Sequence, residues 1–533
     1  MVESINAGNS FNVNPIGSYV LKKLTLTSHS NTEIDLSDKF VEFNIYESLF
    51  SSVIFGDILV NESYNFVSYA PLLGGEELLL EVCNVPTEVS GVEITRKSVY
   101  VIYAIENRVL VKDRQHQYIL RFCSKELIQN QQIRISTTIF NKTFTSIVLD
   151  VYNALIEEEN KLVRKNKLSF LKQLKCCSRK AEQEEEKLTV HFPNLHPFEC
   201  LHYLAGRAHI KKSTYTSNTK DSPKPYGNPF FFFVQFNNQF VFMSWSQLNE
   251  EYNYSKKLKE EIPNKDLSIQ IDELNRTLPE KEIVNKPLFT SIPNIWKGTQ
   301  NNDVGDFRWF KSLENFYTVE DHIFTKDFDF YESIKKGMFA SRLIAYNTCK
   351  KKIVEHKWSH KHLYDKAKHL YDSIKKSLNV FNDKDTPVNL DTGVPGTAKS
   401  EYFSPVKYDS YVKVAPIHSD LFLTGKTDFC PELTKNQRIL KLQELNNNIL
   451  TVNIPGDLNF TAGHFSDLYI HSHELSSGEE LTRDCHSAGT YINLRVRHTF
   501  KPLNVFRTTL EIAKDSFIEN TLQTLPPAKK RGT

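Results

Sequence analysis

Residues 45–66 read IYESLFSSVIFGDILVNESYNF, and the centre of this stretch alternates strictly. Ile54, Gly56, Ile58 and Val60 fall on one side; Phe55, Asp57, Leu59 and Asn61 fall on the other. That is the period of a strand with two unequal faces. The same period recurs on either side. Leu21–Thr27 and Phe40–Ile45 alternate before it, and Gly74-Gly75 break the chain ahead of Glu77–Val82. Ser98–Arg108 and Gln117–Cys123 then predict a hairpin across Lys112-Asp113-Arg114. Short strands at this density, with turn signals between them, predict a small antiparallel barrel or sandwich over residues 1–130.

At Phe144–Leu155 the period lengthens to that of a helix, which runs into a charged stretch at 157–187 containing NKLVRKNK and EQEEEK. Mixed charge of this kind marks a solvated helix or a mobile insertion. From His191, HFPNLHPFECLHYLAGRAH predicts a proline-led turn into an amphipathic helix with Phe198, Leu201, Leu204 and Ala205 on one face. FFFFVQF and QFVFMSW, with Asn237-Asn238 between them, predict a hairpin. These elements predict a middle α/β domain over 131–325, with a polar, irregular insertion at 251–300. Asp329–Asn347 is ordered again, the basic segment around His356, His360, His362 and His369 reads as helical, and 379–434 reads as a long loop or linker.

The last ordered part runs from LTKNQRILKLQELNNN through ILTVNIPGDLNFTAG to the paired runs GTYINLRVRHTF and VFRTTLEIAKD. Here the pattern repeats itself. Tyr100–Arg108 followed by Tyr118–Phe122 parallels Tyr491–His498 followed by Thr508–Ile512, with Gly56-Asp57 ahead of the first and Gly456-Asp457 ahead of the second. Two copies of one β module are the simplest account. The second copy is expected at 326–350 and 435–520, with 351–434 inserted into it and 521–533 as a tail.

A chain of 533 residues exceeds one core and predicts three or four domains at roughly 150 residues each. Its 40% apolar and 24% charged residues are those of a soluble globular protein. The 66 basic and 64 acidic residues leave no surplus of positive charge, which a dedicated nucleic-acid binder needs over phosphate. The start, MVESINAGNSFNVN, lacks the basic residues and apolar run of a secretion signal, and no window reaches the length of a membrane span. Cys83, Cys123, Cys176, Cys177, Cys200, Cys349, Cys430 and Cys485 have no repeated spacing and read as reduced thiols of a protein made in a cytosol.

Candidate chemistry is sparse. GVPGTAKS at 393–400 has Ala398 where a phosphate-binding loop needs glycine, and it lacks the flanking strand and helix. His471, His473, Cys485 and His486, with His464 nearby, are the candidate metal ligands, but their spacing matches no established zinc pattern and they read as polar histidines. His356 and His360 have the i, i+4 spacing of a metalloprotease helix without its glutamate. Glu76-Glu77 and Glu479-Glu480 follow glycines as turn residues, and no GxSxG elbow occurs. No catalytic residue and no cofactor are assigned. The sequence reads as one built to make surfaces.

Several stretches, in order along the chain, carry a resemblance. IYESLFSSVIFGDILVNESYNF with PLLGGEELLLEV, and YVIYAIENRVLVKDRQHQYILRFCSKELIQN, are similar to the first tube domain of a known family. PNLHPFECLHYLAGRA and FFFFVQFNNQFVFMSWSQL resemble its middle domain. FDFYESIKKGMFASRLIAYN, QRILKLQELNNNILTVNIPGDLNFTAG and SAGTYINLRVRHTF resemble its second tube domain. The family is that of the central baseplate hub proteins of T-even-type contractile-tailed phages, related to the hub part of type VI secretion spike proteins.

The resemblance implies an α+β, mainly β fold: two similar antiparallel β-barrel tube domains, an α/β middle domain and inserted loops. It implies a trimer whose six barrels form a pseudo-sixfold ring. Gly56, Asp57, Gly74, Gly75, Gly456, Asp457, Gly463 and Gly489 are the positions it marks as the tube-domain signature. The implied role is a structural virion protein of the tail baseplate, made in the host cytoplasm, that adapts the sixfold tube to a threefold spike. Implied partners are two further copies of the chain, the trimeric central spike, a tube initiator or tube hexamer, and other baseplate proteins. Genomic DNA would pass through the lumen without specific binding. The insertions at 157–187, 251–300 and 379–434 are longer than the family's connections. Two alternatives stand beside this reading: the hub part of a type VI-like secretion spike, and a tail-associated peptidoglycan hydrolase with a metal at His471, His473 and Cys485.

Overall fold

The alternating stretches become strands, as their period requires. The computed structural model describes residues 17–84, 94–112, 114–166, 173–176, 187–208, 229–261, 294–297, 317–338, 340–347, 351–359, 412–416, 431–470, 487 and 489–515. The first strands are β1 (Tyr19–Thr27), β2 (Glu33–Asp35), β3 (Phe40–Ser48) and β4 (Phe55–Glu62). A short helix, α1 (Phe66–Tyr69), precedes β5 (Glu77–Asn84), β6 (Thr95–Lys112) and β7 (Gln115–Ser124). On β4 the side chains at Ile58, Val60 and Glu62 are buried and those between them are not, so the two-faced strand is present. The β6–β7 hairpin closes at Lys112 opposite Gln115, across the predicted turn.

The middle elements are α2 (Lys125–Gln132), β8 (Thr138–Thr143), α3 (Phe144–Asn166), β9 (Gln173–Cys176), β10 (Lys187–His191), α4 (Pro197–Ala205), β11 (Phe230–Gln235), β12 (Gln239–Ser244) and α5 (Trp245–Glu261). Pro197 opens α4, where its missing N–H costs nothing. The amides that this helix end leaves without helical partners find others: His196 N–H donates to the Glu199 carboxylate (2.9 Å) and Phe198 N–H to the Asn130 side chain (2.8 Å). The β11–β12 turn places Asn238 at φ 61, a conformation asparagine tolerates. Every residue of β11 is buried because both faces of the hairpin are covered. Phe230, Phe232, Phe240 and Phe242 join the core of the first half, whereas Phe231, Phe233, Val241 and Met243 join a cluster with Phe465, Ile492 and Leu494 of the second.

The remaining elements are β13 (Asn294–Lys297), β14 (Tyr317–Thr318), β15 (Asp321–Lys326), α6 (Phe330–Lys335), β16 (Ala340–Asn347), β17 (Lys352–Ser359), β18 (Val412–Pro416), α7 (Pro431–Leu445), β19 (Ile449–Pro455), β20 (Phe465–Ile470), β21 (Gly489–Lys501) and β22 (Val505–Ala513). Two halves share one 14-stranded sheet. The first half follows the path β2-β1-β5-β6-β7-β4-β3; the second follows β14-β13-β20-β21-β22-β19-β15. Taken in chain order, the strands occupy the same places in both paths. The five from β3 to β7 also match β15 and β19–β22 in direction, all their pairings being antiparallel. Only β13 runs the other way, parallel to β14 and β20.

The sheet departs from expectation in three places. Among the described residues no strand pairing closes either half into a barrel, and the halves are instead joined edge to edge through β21 and β3. Strands β13, β14 and most of β15 enter the sheet ahead of residue 326, where the second module was expected to begin. The region expected as helix and loop supplies strands: β17, which contains His356, pairs with β16, and β18 runs parallel to β16 in a separate three-stranded sheet. His356 therefore lies on a strand rather than on the helix that an i, i+4 metal pair needs, and His360 lies outside the described residues. No described helix is long and apolar enough to cross a membrane.

Candidate assembly interface

The joint between the halves is an antiparallel ladder from Arg495 opposite Ser48 to Phe500 opposite Phe43. Its inner face is aromatic. Phe500 stacks on Phe43 and on Phe506, each at 4.3 Å between centroids, and Tyr19 meets it edge-on at 5.0 Å. Tyr19 Oη–H donates to the Lys501 carbonyl (2.8 Å), and burial holds that phenol well above its usual range. One polar pair crosses this core: Glu47 Oε1 of β3 lies 3.6 Å from His498 Nε2 of β21, both side chains fully buried. The Glu47 carboxylate also accepts the Ala462 N–H (3.2 Å), and His498 Nε2 lies 3.0 Å from the Phe460 carbonyl. These contacts fasten the 456–464 loop across the joint.

The opposite face carries a row of charges. Arg121 of β7 binds Glu106 of β6 (3.0 Å) and Asp57 of β4 (3.1 Å). Asp57 also accepts from Tyr46 Oη–H and the Asn44 amide, each at 2.8 Å. Across the joint Glu42 accepts from Arg497 and Lys501, both at 3.2 Å. Arg495 pairs with Glu511 of β22 (2.8 Å). Burial, then the Asp57 hydrogen bond, pushes the Tyr46 phenol up to about 12. Beneath this row lies a cleft of about 280 Å³ lined in part by Tyr46, Thr451, Arg495, Arg497, Thr509 and Glu511.

The signature glycines divide into two kinds. Gly75 N–H donates to the Ile102 carbonyl (2.7 Å) and Ile102 N–H to Glu76 (2.9 Å). Gly463 N–H donates to Asn493 (2.8 Å) and Asn493 N–H to His464 (2.8 Å) in the same arrangement. Gly75 and Gly463 have φ of +92 and +74, and a bulge follows each partner, between Ile102 and Ala104 and between Asn493 and Arg495. They are equivalent points of the repeat. Gly74 shares the first turn, where its N–H and that of Leu73 donate to the buried Glu76 carboxylate, and Gly489 opens β21.

Gly56 and Gly456 are not equivalent: the first lies near the start of β4, the second just past the end of β19. Each instead sits beneath a ring of the next strand. A Cβ on Gly56 would lie 2.0 Å from Phe122, and one on Gly456 would lie 2.1 Å from Phe506. Asp457 accepts the Asn84 amide (2.7 Å) and the Asn459 N–H (2.9 Å), tying the second half to the end of β5.

Of the histidines singled out, His464 is buried in the loop at the joint. His471, His473, Cys485 and His486 lie outside the described residues, as do the GVPGTAKS stretch and the insertion residues 262–293. Among the described residues no three His, Cys, Asp or Glu side chains gather as metal ligands. A second buried group went unmarked by any motif. Lys441 of α7 binds Glu444 (3.0 Å) and Asp515 and faces the Trp245 ring at 5.5 Å, so helix and final strand are fixed together by charge.

No family model and no curated protein sequence matches this chain. Solved structures similar to it are phage tail and type VI secretion proteins. The tail protein from Neisseria meningitidis MC58 is 8% identical with a TM-score of 0.45, covering 93% of this chain and 97% of its own. The prophage MuSo2 43 kDa tail protein from Shewanella oneidensis is 8% identical with a TM-score of 0.41, covering 93% and 98%. The E. coli c3393 protein, a component of the type VI secretion system described as similar to the T4 tail proteins gp27 and gp5, is 9% identical with a TM-score of 0.35, covering 93% and 77%.

Proposed function

We propose that this chain is a non-enzymatic structural protein of a contractile phage tail: the trimeric baseplate hub on the tail axis. Three copies place six sheet modules around a bore and match a sixfold tube to a threefold spike. The observation that carries the reading is the duplicated sheet, whose halves repeat five strands in order, pairing and direction. A chain with two equivalent modules halves the symmetry needed to meet a six-membered ring. The charged face supports a conduit as well. In the row of charges Arg121, Arg495, Arg497 and Lys501 are matched in number by Asp57, Glu42, Glu106 and Glu511, Arg121 binding two of these anions and Glu42 two of the cations, so the row holds no surplus to grip a phosphate backbone.

The test is the mass of the purified chain by sedimentation equilibrium. The expected particle has three times the 61.7 kDa of one chain. A particle of a single chain mass at every concentration contradicts the hub assignment.

A further inference from the structure

The repeat leaves two strand edges unequal to their counterparts. Beyond Asn493, β21 pairs with β3 of the first half along the edge that β20 has left. Its counterpart β6 pairs with β5 only as far as Val101, and no described strand lies along that edge from Tyr103 to Lys112. Strand β3 is paired on both edges, by β4 and β21. Its counterpart β15 is paired with β19 alone among the described strands. Among the described strands each chain thus has one vacant edge of the β21 kind and one of the β3 kind. Unprotected edges of this sort pair readily with another chain.

We infer that β6 of one copy pairs antiparallel with β15 of the next, repeating between chains the joint that β21 and β3 make within one. This rests on the trimeric reading above. The internal joint fixes the register. Arg497 faces Tyr46 there. Glu106 holds the place of Arg497, because their partners on the next strand, Ile119 and Thr509, lie three residues before the equivalent Phe122 and Ile512. Lys326 holds the place of Tyr46, because their partners Ile449 and Phe55 face the equivalent Ala513 and Cys123. Glu106 of one copy therefore lies opposite Lys326 of its neighbour.

The chemistry agrees with that register. Glu106 is already bound to Arg121, and Lys326 to Glu332 at 3.0 Å, so joining the edges makes an alternating row of four charges. Both edges also expose apolar side chains: Tyr103, Val109 and Val111 on β6, with Ile323, Phe324 and Phe328 on or just after β15. At the internal joint the residues at the places of Phe324 and of the likewise exposed Leu110 are Ile45 and Phe500, and both are buried. One edge of each kind per chain makes a head-to-tail contact, which closes into a ring when its rotation allows.

The test uses the full-length chain carrying Glu106→Cys and Lys326→Cys together. Residues facing each other on antiparallel strands have Cα atoms about 4.5–5.5 Å apart, within disulfide reach. A second variant, Tyr46→Cys with Arg497→Cys, places the same pair at the internal joint and calibrates the oxidation by closing within one chain. The expected result is covalent species of two and three chain masses from the first variant, and none from either single substitution. A sedimenting trimer that yields only single-chain bands, while the calibrating pair oxidises, overturns this joint and leaves the hub reading standing. A ladder running past three chains supports the joint and contradicts the trimer. Monomer in sedimentation overturns both.

Discussion

Phe500 is the residue on which the joint between the halves depends most. It is fully buried, stacked on two rings at 4.3 Å and met by a third at 5.0 Å. Truncating such a phenylalanine to alanine costs about 3–5 kcal/mol, from lost transfer energy and the cavity left behind. Three aromatic contacts, each contributing about 0.5–1.5 kcal/mol beyond area, place Phe500→Ala toward the upper part of that range. A chain of this size does not unfold in one step, so the effect is best read locally. Hydrogen exchange followed by mass spectrometry on peptides covering β3 and β21 measures the opening of the joint itself. At about 1.4 kcal/mol per tenfold, exchange there should accelerate by roughly three orders of magnitude. Peptides from β5 and from the β11–β12 hairpin should change far less. Pairing Phe500→Ala with Phe43→Ala should give a coupling of about 0.5–1.5 kcal/mol. Acceleration below about tenfold, or equal acceleration in every peptide, would refute the placement of these rings at an inter-module joint.

Gly456→Ala should lower stability by about 1–3 kcal/mol, because the new methyl meets the Phe506 ring at 2.1 Å. Gly206→Ala, where nothing lies closer than 3.4 Å, should leave the melting curve nearly unchanged. Lys441→Met leaves Glu444 and Asp515 buried without their cation and should cost about 3–5 kcal/mol, read as a lowered melting temperature. The same lysine gives a pH signature. Burial opposes its charge, but Asp515 and Glu444 outweigh burial and hold its ammonium above the ordinary range. Its contribution is therefore full below the unfolded lysine value of about 10.4 and is lost as pH rises through the folded value. Melting temperature should fall more steeply above about pH 10 in the wild type than in Lys441→Met.

What the sequence revealed follows from the range of each signal. Alternation is local, so β4, the β6–β7 and β21–β22 hairpins and the Asn238 turn were legible residue by residue. The run of four phenylalanines was legible as a hairpin strand, but its burial on both faces depends on two cores that meet there from distant parts of the chain. Duplication was legible as a repeated period. The two hairpins also align as the sequence pairs them, Tyr100 with Tyr491 and Tyr118 with Thr508. The Gly-Asp markers do not, because Gly-Asp recurs at 56 and 456 by coincidence of spacing, while Gly75 and Gly463 share a backbone role that needs positive φ. Strand β13 is 4 residues long and joins the sheet in parallel, too short to show any period. The charge row was hidden for another reason. Arg121, Asp57 and Glu42 look like ordinary solvated positions until register sets them side by side.

A three-dimensional reconstruction of the assembled chain by electron microscopy tests the central claim most directly. The expected density is an annulus of six similar lobes from three polypeptides, open along its axis and lined by the face that bears Arg121 and Arg497. Density in which the two modules of one chain fold against each other, leaving no passage between neighbouring copies, would contradict it.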